Sequence, residues 1–215
     1  MSIEHILFDV ADTLLHTPDL VVVLDEVLRE AGFSVPRVEI RRRHKMTREA
    51  VLFPHAPDRS FYEQFNARFL ESLGISPTTE LVGRIHERCS NLRWTPHEDV
   101  ESLAALSQPL GILSNWDRSL NERLSQTLGR TFSPIIGSEA MDLAKPDPRI
   151  FEHAAEACGV DARRIAYIGD SVRLDMAPAR RVGMRAILVD RFNFFPWVAR
   201  DRVTSLGALP PLFLQ

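Results

Sequence analysis

Cysteine is nearly absent from this sequence. Only Cys89 and Cys158 occur in 215 residues, too few for a disulfide framework or a cysteine-ligated metal cluster. Both fall in helix-like patterns and are expected to be buried packing residues. Lysine is as scarce: of 26 lysines and arginines only Lys45 and Lys145 are lysine. Neither sign of charge dominates, and a net charge of -3 excludes a general polyanion-binding surface, so no nucleic-acid partner is expected. Apolar runs long enough for a membrane span, ~20 residues, are lacking too. The chain enters a strand within a few residues of Met1, so no signal peptide is expected. No membrane association is therefore expected, and a reducing cytoplasm is the expected compartment. What is present, 45% hydrophobic residues, suffices for a globular core.

Two periodicities divide the chain. Residues 17–92 read as helices alone. Thr17-Pro18 has the form of a cap followed by a first-turn proline, with Leu20, Leu24, Val27 and Leu28 at helical spacing before Gly32. Further helices run through "PRVEIRRRHKMTREAV", from Asp58 to Gly74, and from about Thr79 to Ser90, with Phe61, Phe65 and Phe69 as core residues. From residue 93 short apolar strands alternate with helices: "LGILSN", "SPIIGS", "RIAYIGD" and "RAILVD". That alternation predicts an α/β fold, a doubly wound, Rossmann-like parallel sheet covered on both faces. The first strand, "HILF", belongs to the same sheet. Residues 1–16 and 93–215 are thus expected to form the core, and residues 17–92 an inserted α-helical cap.

Such sheets bind ligands at the carboxyl ends of their strands. The first strand ends on Asp9, the next on Ser114-Asn115, and "YIGD" on Asp170, with Asp175 a turn later. Lys145 lies in "DLAKPDP", before a helix opened by Pro148. Three carboxylates held together repel and raise one another's pKa values. A divalent cation relieves that conflict, and hard oxygen ligands point to Mg²⁺. Lys145 suits an anionic substrate such as phosphate. A carboxylate beside lysine and metal can attack phosphorus, while Ser114 and nearby backbone N–H groups hold the other oxygens.

Four stretches resemble the haloacid dehalogenase (HAD) superfamily: "FDVADTLL" is similar to its first motif, "ILSN" to its second, "AKPDPRIF" to its third and "YIGDSVRLD" to its fourth. The long interval from Asp9 to Ser114 resembles that of members with a type 1 helical cap. The resemblance implies a hydrolase with Asp9 as the nucleophile that forms an aspartyl-phosphate. It implies Mg²⁺ held by Asp9, Asp170 and the Ala11 carbonyl, with Asp175 in support. Ser114 and Lys145 would bind the phosphoryl group, Asn115 would add a hydrogen bond, and Thr13 would pin the motif loop. A flavodoxin-like receiver domain groups similar residues, but it is much shorter and has neither the insertion nor "GDSVRLD".

The sequence departs from that pattern at Ala11. Phosphatases of the family carry an aspartate there, which protonates the leaving group and then activates water. Three readings follow. The protein is a phosphatase of a small phosphorylated metabolite, with its acid supplied by Asp12 or the cap or made needless by a good leaving group. It is a phosphonatase-like C–P hydrolase, with Lys45 as a Schiff-base lysine. Or it binds phosphate and Mg²⁺ without turnover. Dehalogenases also lack the acid, but they do not need the paired Asp170 and Asp175. His44, Lys45 and His55 are the polar groups to watch in the helical segment, each expected at the surface unless it reaches a ligand. "RFNFFPW" is expected to pack under the C-terminal tail or to serve as a dimer contact or lid, and the chain to be a monomer or homodimer.

Overall fold

The computed structural model describes residues 2–54 and 57–213. His55, one of the polar groups singled out above, lies outside the described residues. The chain divides into two compact units, residues 1–16 with 96–215 and residues 17–95.

The first unit is built on strands β1 (His5–Phe8), β2 (Leu15–His16), β3 (Thr95–Pro96), β4 (Leu110–Ser114), β5 (Ile135–Gly137), β6 (Ile165–Gly169), β7 (Arg185–Val189) and β8 (Arg202–Val203). Six of them form one sheet in the order β5-β4-β1-β6-β7-β8, and β2 and β3 pair separately. Every pairing recorded in the large sheet is parallel. The uninterrupted apolar runs explain this: β1, β4 and β6 are buried at every residue, as strands covered on both faces must be. The register sets Phe8 level with Ile112 on one side and Ile168 on the other. From β1 the chain goes to β4 and β5 on one flank, then to β6, β7 and β8 on the other. The ends of β1, β4 and β6 therefore border the crevice where the winding direction reverses.

The second unit packs four helices: α1 (Leu20–Glu30), α2 (Arg37–Ala50), α3 (Arg59–Ser72) and α4 (Thr79–Cys89). Its core combines Leu24 and Leu28 of α1 with Ile40 of α2, Phe69 and Leu70 of α3, and Leu81 and Ile85 of α4. Asp58 caps α3 by accepting from the Phe61 amide at 2.8 Å, and Thr78 caps α4 through the Leu81 amide at 3.2 Å. Each such cap contributes about 1 kcal/mol. The expected start of α1 moves: Thr17 and Pro18 lie in a turn, closed by the Leu20 amide on the Thr17 carbonyl at 3.2 Å, and the helix begins only at Leu20. Phe65 and Phe69 are buried as expected, whereas Phe61 is only half-buried.

Other departures are local. The segment before β4 is a 3₁₀ helix, Glu98–Ala105. The helical segment between β6 and β7 opens as a π turn, Val172–Met176, before α-helix Ala177–Arg181. There the Met176 amide reaches back five residues to the Ser171 carbonyl, at 3.1 Å. Cys89 and Cys158 are half-buried rather than buried, and burial still pushes each thiol up to about 11. In "RFNFFPW" Phe195 is buried, but Phe192 and Trp197 are 52% and 72% exposed. The Asp190 carboxylate holds that loop, accepting from the amides of Phe194 at 2.7 Å and Phe195 at 2.8 Å. Among the described residues, no helix is long and apolar enough to cross a membrane.

Candidate active site

Strand termination places the acids. β1 gives out at Asp9, whose amide still donates to the Ile168 carbonyl at 2.8 Å. Its carboxylate is thereby held level with Gly169, and Asp170 follows at once. Asp9, Ser114, Lys145, Asp170 and Asp175 come together with none more than 6% exposed. Carboxylate oxygens of Asp9, Asp170 and Asp175 lie within 4.8 Å of one another.

Two donors hold Asp9 Oδ1: Ser114 Oγ at 2.7 Å and Lys145 Nζ at 2.8 Å. Lys145 Nζ also donates to Asp175 Oδ1 at 2.6 Å and to the Tyr167 hydroxyl at 3.0 Å. A buried ammonium has three donors to place, and all three are used. Lys145 is aimed by its own backbone, which exchanges two hydrogen bonds with the Asn115 side chain, at 2.8 and 3.0 Å. Asp175 Oδ2 accepts from the Ser171 amide at 2.9 Å, a contact delivered by the π turn. Gly169 is required for that approach: a Cβ at this position would lie 2.4 Å from the Asp175 carboxyl carbon.

Electrostatics favours a cation. Burial pulls against the charge on Lys145, yet Asp175 and Asp9 outweigh it and raise its pKa. Burial pushes the Asp175 carboxyl up, against the pull of Lys145, and Asp9 and Asp170 add to the rise. With all four groups ionised, three carboxylates and one ammonium leave two negative charges in excess. A divalent cation matches that excess. The motif loop leaves one further ligand to offer. The carbonyls of Val10, Thr13, Leu14 and Leu15 all accept hydrogen bonds, and Asp12 accepts from the His97 ring. The Ala11 carbonyl has no recorded donor among the described residues. The donor set of carboxylates and a carbonyl therefore fits a hard cation.

The remaining candidates fall as follows. Thr13 is fully buried in the motif loop. Its hydroxyl has no partner among the described residues, and its carbonyl accepts from Arg191 Nη2 at 2.8 Å. Asp12 takes a left-handed conformation, φ 60°. Lys45 is buried rather than surface-exposed, with its Nζ 2.8 Å from Glu49 Oε1 one turn along α2. His44 is half-buried, with its ring edge-on to Phe65 and Phe69. For His44 the cause is its place one turn after the core residue Ile40, on the face of α2 that meets α3. Tyr167 is a participant that the sequence reading missed. Its hydroxyl lies 2.8 Å from the Leu113 carbonyl and 3.1 Å from Asp175 Oδ1. The available signal was one hydroxyl in an otherwise apolar strand.

This geometry has relatives. The family model for haloacid dehalogenase-like hydrolases matches residues 3–183, and the chain belongs to that family. Haloacid dehalogenase-like hydrolase domain-containing protein 3 of Danio rerio is 37% identical over 111 residues, which are 49% of this chain and 46% of that protein. The chain thus spans about half the length of that relative. Phosphoserine phosphatase of Thermus thermophilus is 28% identical over 219 residues, covering 86% of this chain and 88% of that one. Among solved structures, L-2-haloacid dehalogenase from Xanthobacter autotrophicus is 21% identical, covers 98% of both chains and superposes with a TM-score of 0.66. At that identity the likeness is one of fold alone.

Proposed function

We propose that this protein is a Mg²⁺-dependent phosphatase of small phosphorylated metabolites, working through an aspartyl-phosphate on Asp9. The observation that carries the reading is the buried contact of Asp9 Oδ1 with Ser114 and Lys145, at 2.7 and 2.8 Å, beside two further acids. The likeness to a phosphoserine phosphatase over most of both chains supports it. Mg²⁺, when bound by Asp9, Asp170 and the Ala11 carbonyl with Asp175 in support, supplies charge neutralisation for the acids and the incoming phosphoryl group.

The chain's own groups do the rest. An Asp9 oxygen forms a bond to phosphorus as the bond to the leaving oxygen breaks. Ser114 Oγ and Lys145 Nζ stand where the phosphoryl oxygens gather. Water then attacks phosphorus, the bond to Asp9 breaks, and phosphate departs with the Asp9 carboxylate restored. At Ala11 a methyl group stands where a proton donor would, so the leaving group takes its proton from solvent. That costs about 10²–10⁴ in rate for a basic leaving group, and little for an acidic one such as a phenol. The residue at position 11 therefore selects substrates by leaving-group acidity.

Phosphate release from an aryl and an alkyl phosphomonoester, with and without Mg²⁺, tests the reading. Wild type should prefer the aryl ester, Asp9→Asn should be silent, and Ala11→Asp should raise alkyl turnover by up to about 10²–10⁴. Turnover that survives Asp9→Asn overturns the nucleophile. Silence of both wild type and Ala11→Asp, with Mg²⁺ still bound, would mark a binding protein instead.

A further inference from the structure

The loop of residues 10–15 is tied mostly to itself. The Val10 carbonyl accepts from the Thr13, Leu14 and Leu15 amides at 3.3, 2.9 and 2.9 Å, and the Leu15 carbonyl accepts from Asp12 at 2.6 Å. A charged group enters from outside, Arg191 of the loop after β7, whose Nη2 donates to the Thr13 carbonyl at 2.8 Å. Its Nη1 donates to Asp99 Oδ2 at 2.5 Å. The same oxygen accepts from Ser205 Oγ and the Leu206 amide, each at 2.8 Å. Asp99 is thus an anchor fixed from the C-terminal segment, and Arg191 is the arm that reaches the motif loop.

The pairing is not the strongest one available to these side chains. Arginine and aspartate bond best as a two-point fork. Here Arg191 Nε and Asp99 Oδ1 are both buried without a partner among the described residues. The second guanidinium donor goes to the Thr13 carbonyl instead. A pair that served stability alone would close the fork, because an unmet buried polar group is costly. We infer that Arg191 is a positioning residue: anchored on Asp99, it holds the Thr13 carbonyl and so fixes the aim of the Asp9 carboxylate and the Ala11 carbonyl at the cation site.

The inference rests on the proposed cation site, and its test keeps the two apart. Mg²⁺ affinity by calorimetry, kcat and KM on an aryl phosphate, and amide exchange of residues 12–15 are measured on the full chain for wild type, Arg191→Met and Arg191→Lys. Groups behind the ligands of a metal typically govern about 10–100-fold in affinity or activity. Arg191→Met should weaken Mg²⁺ binding and lower kcat by about that factor with KM little changed, and added guanidinium should recover part of the loss. Arg191→Lys, able to reach one partner only, should fall between. A lowered melting temperature with Mg²⁺ affinity and kcat intact overturns the inference. Should Arg191→Met fail to fold, native Mg²⁺ affinity in Arg191→Lys overturns it equally. If wild type proves silent on every ester, the phosphatase reading fails, while Mg²⁺ affinity still reports on Arg191. If wild type binds no Mg²⁺, exchange decides: residues 12–15 should exchange at least about tenfold faster in Arg191→Lys, and unchanged exchange overturns the inference.

Discussion

Gly169→Ala should cripple the site without touching a charged residue. The added Cβ would lie 2.4 Å from Asp175 Cγ and Oδ2 and 2.7 Å from its Cβ, so one of the two must move. Asp175 has little freedom to do so, being fully buried and held by Lys145 at 2.6 Å and the Ser171 amide at 2.9 Å. Overpacking costs about 1–3 kcal/mol, and disrupting a hydrogen bond to a charged group about 1.5–3 kcal/mol. The stiffer unfolded chain returns about 0.4–1 kcal/mol, which leaves a net loss of about 2–5 kcal/mol. Gly169 has no positive φ, so backbone strain does not enter. Urea denaturation with EDTA present measures the loss, and calorimetry should show weakened Mg²⁺ binding. In an Asp175→Gly background the same substitution should cost less than about 1 kcal/mol, because the collision partner is gone. A loss below about 1 kcal/mol with Asp175 intact, and Mg²⁺ affinity unchanged, would refute the steric argument.

Further outcomes follow from the same contacts. Lys145→Met strands Asp9 and Asp175 without their ammonium, at a cost of about 3–5 kcal/mol in EDTA and less in Mg²⁺; equal losses in the two buffers would argue against a cation among these acids. Burial pulls the His44 imidazole down to about 3, with Arg48 and Lys45 adding to it, so the fold keeps it neutral while the unfolded chain protonates near 6.5. Its contribution is therefore complete above pH 6.5 and falls as the pH drops toward 3, by at most about 1.4 kcal/mol per unit. The ring is half-buried, and screening reduces this to about 1–2 kcal/mol between pH 6.5 and 4.5. His44→Gln should remove that part of the acid slope in denaturation curves, and an unaltered slope would exclude His44 as its source. Asp58→Ala should cost about 1 kcal/mol in thermal melts through loss of the α3 cap.

The strand ends were the most legible part of the molecule. An apolar run that stops on an acid or a serine announces a residue at a sheet edge, and Asp9, Ser114 and Asp170 all lie there. Lys145 could be named from its motif and grouped with Asp9 and Asp175, but its third partner, Tyr167, could not. The π turn escaped notice because its residues carry ordinary helical spacing. Tyr167 was hidden by good company: in "IAYIG" an aromatic residue reads as core, and only the sheet brings its hydroxyl to Lys145. Arg191 was hidden by numbers, since one arginine among two dozen in this chain has no local mark. Lys45 misled for the opposite reason. It sits in the most basic stretch of the chain, yet Glu49 one turn on lets α2 bury it.

The path of the chain has one more consequence. The hydrogen bonds described for Asp9 and Asp175 join residues of 1–16 and 96–215, and the helical segment leaves and rejoins that unit on two paired strands, β2 and β3. Its departure and return are therefore already neighbours, and a short hairpin would close the gap if the helices were removed. The segment is carried as a cassette, one that ancestry or an engineer can exchange, lengthen or delete without rewriting the bonds of Ser114 and Lys145 to Asp9.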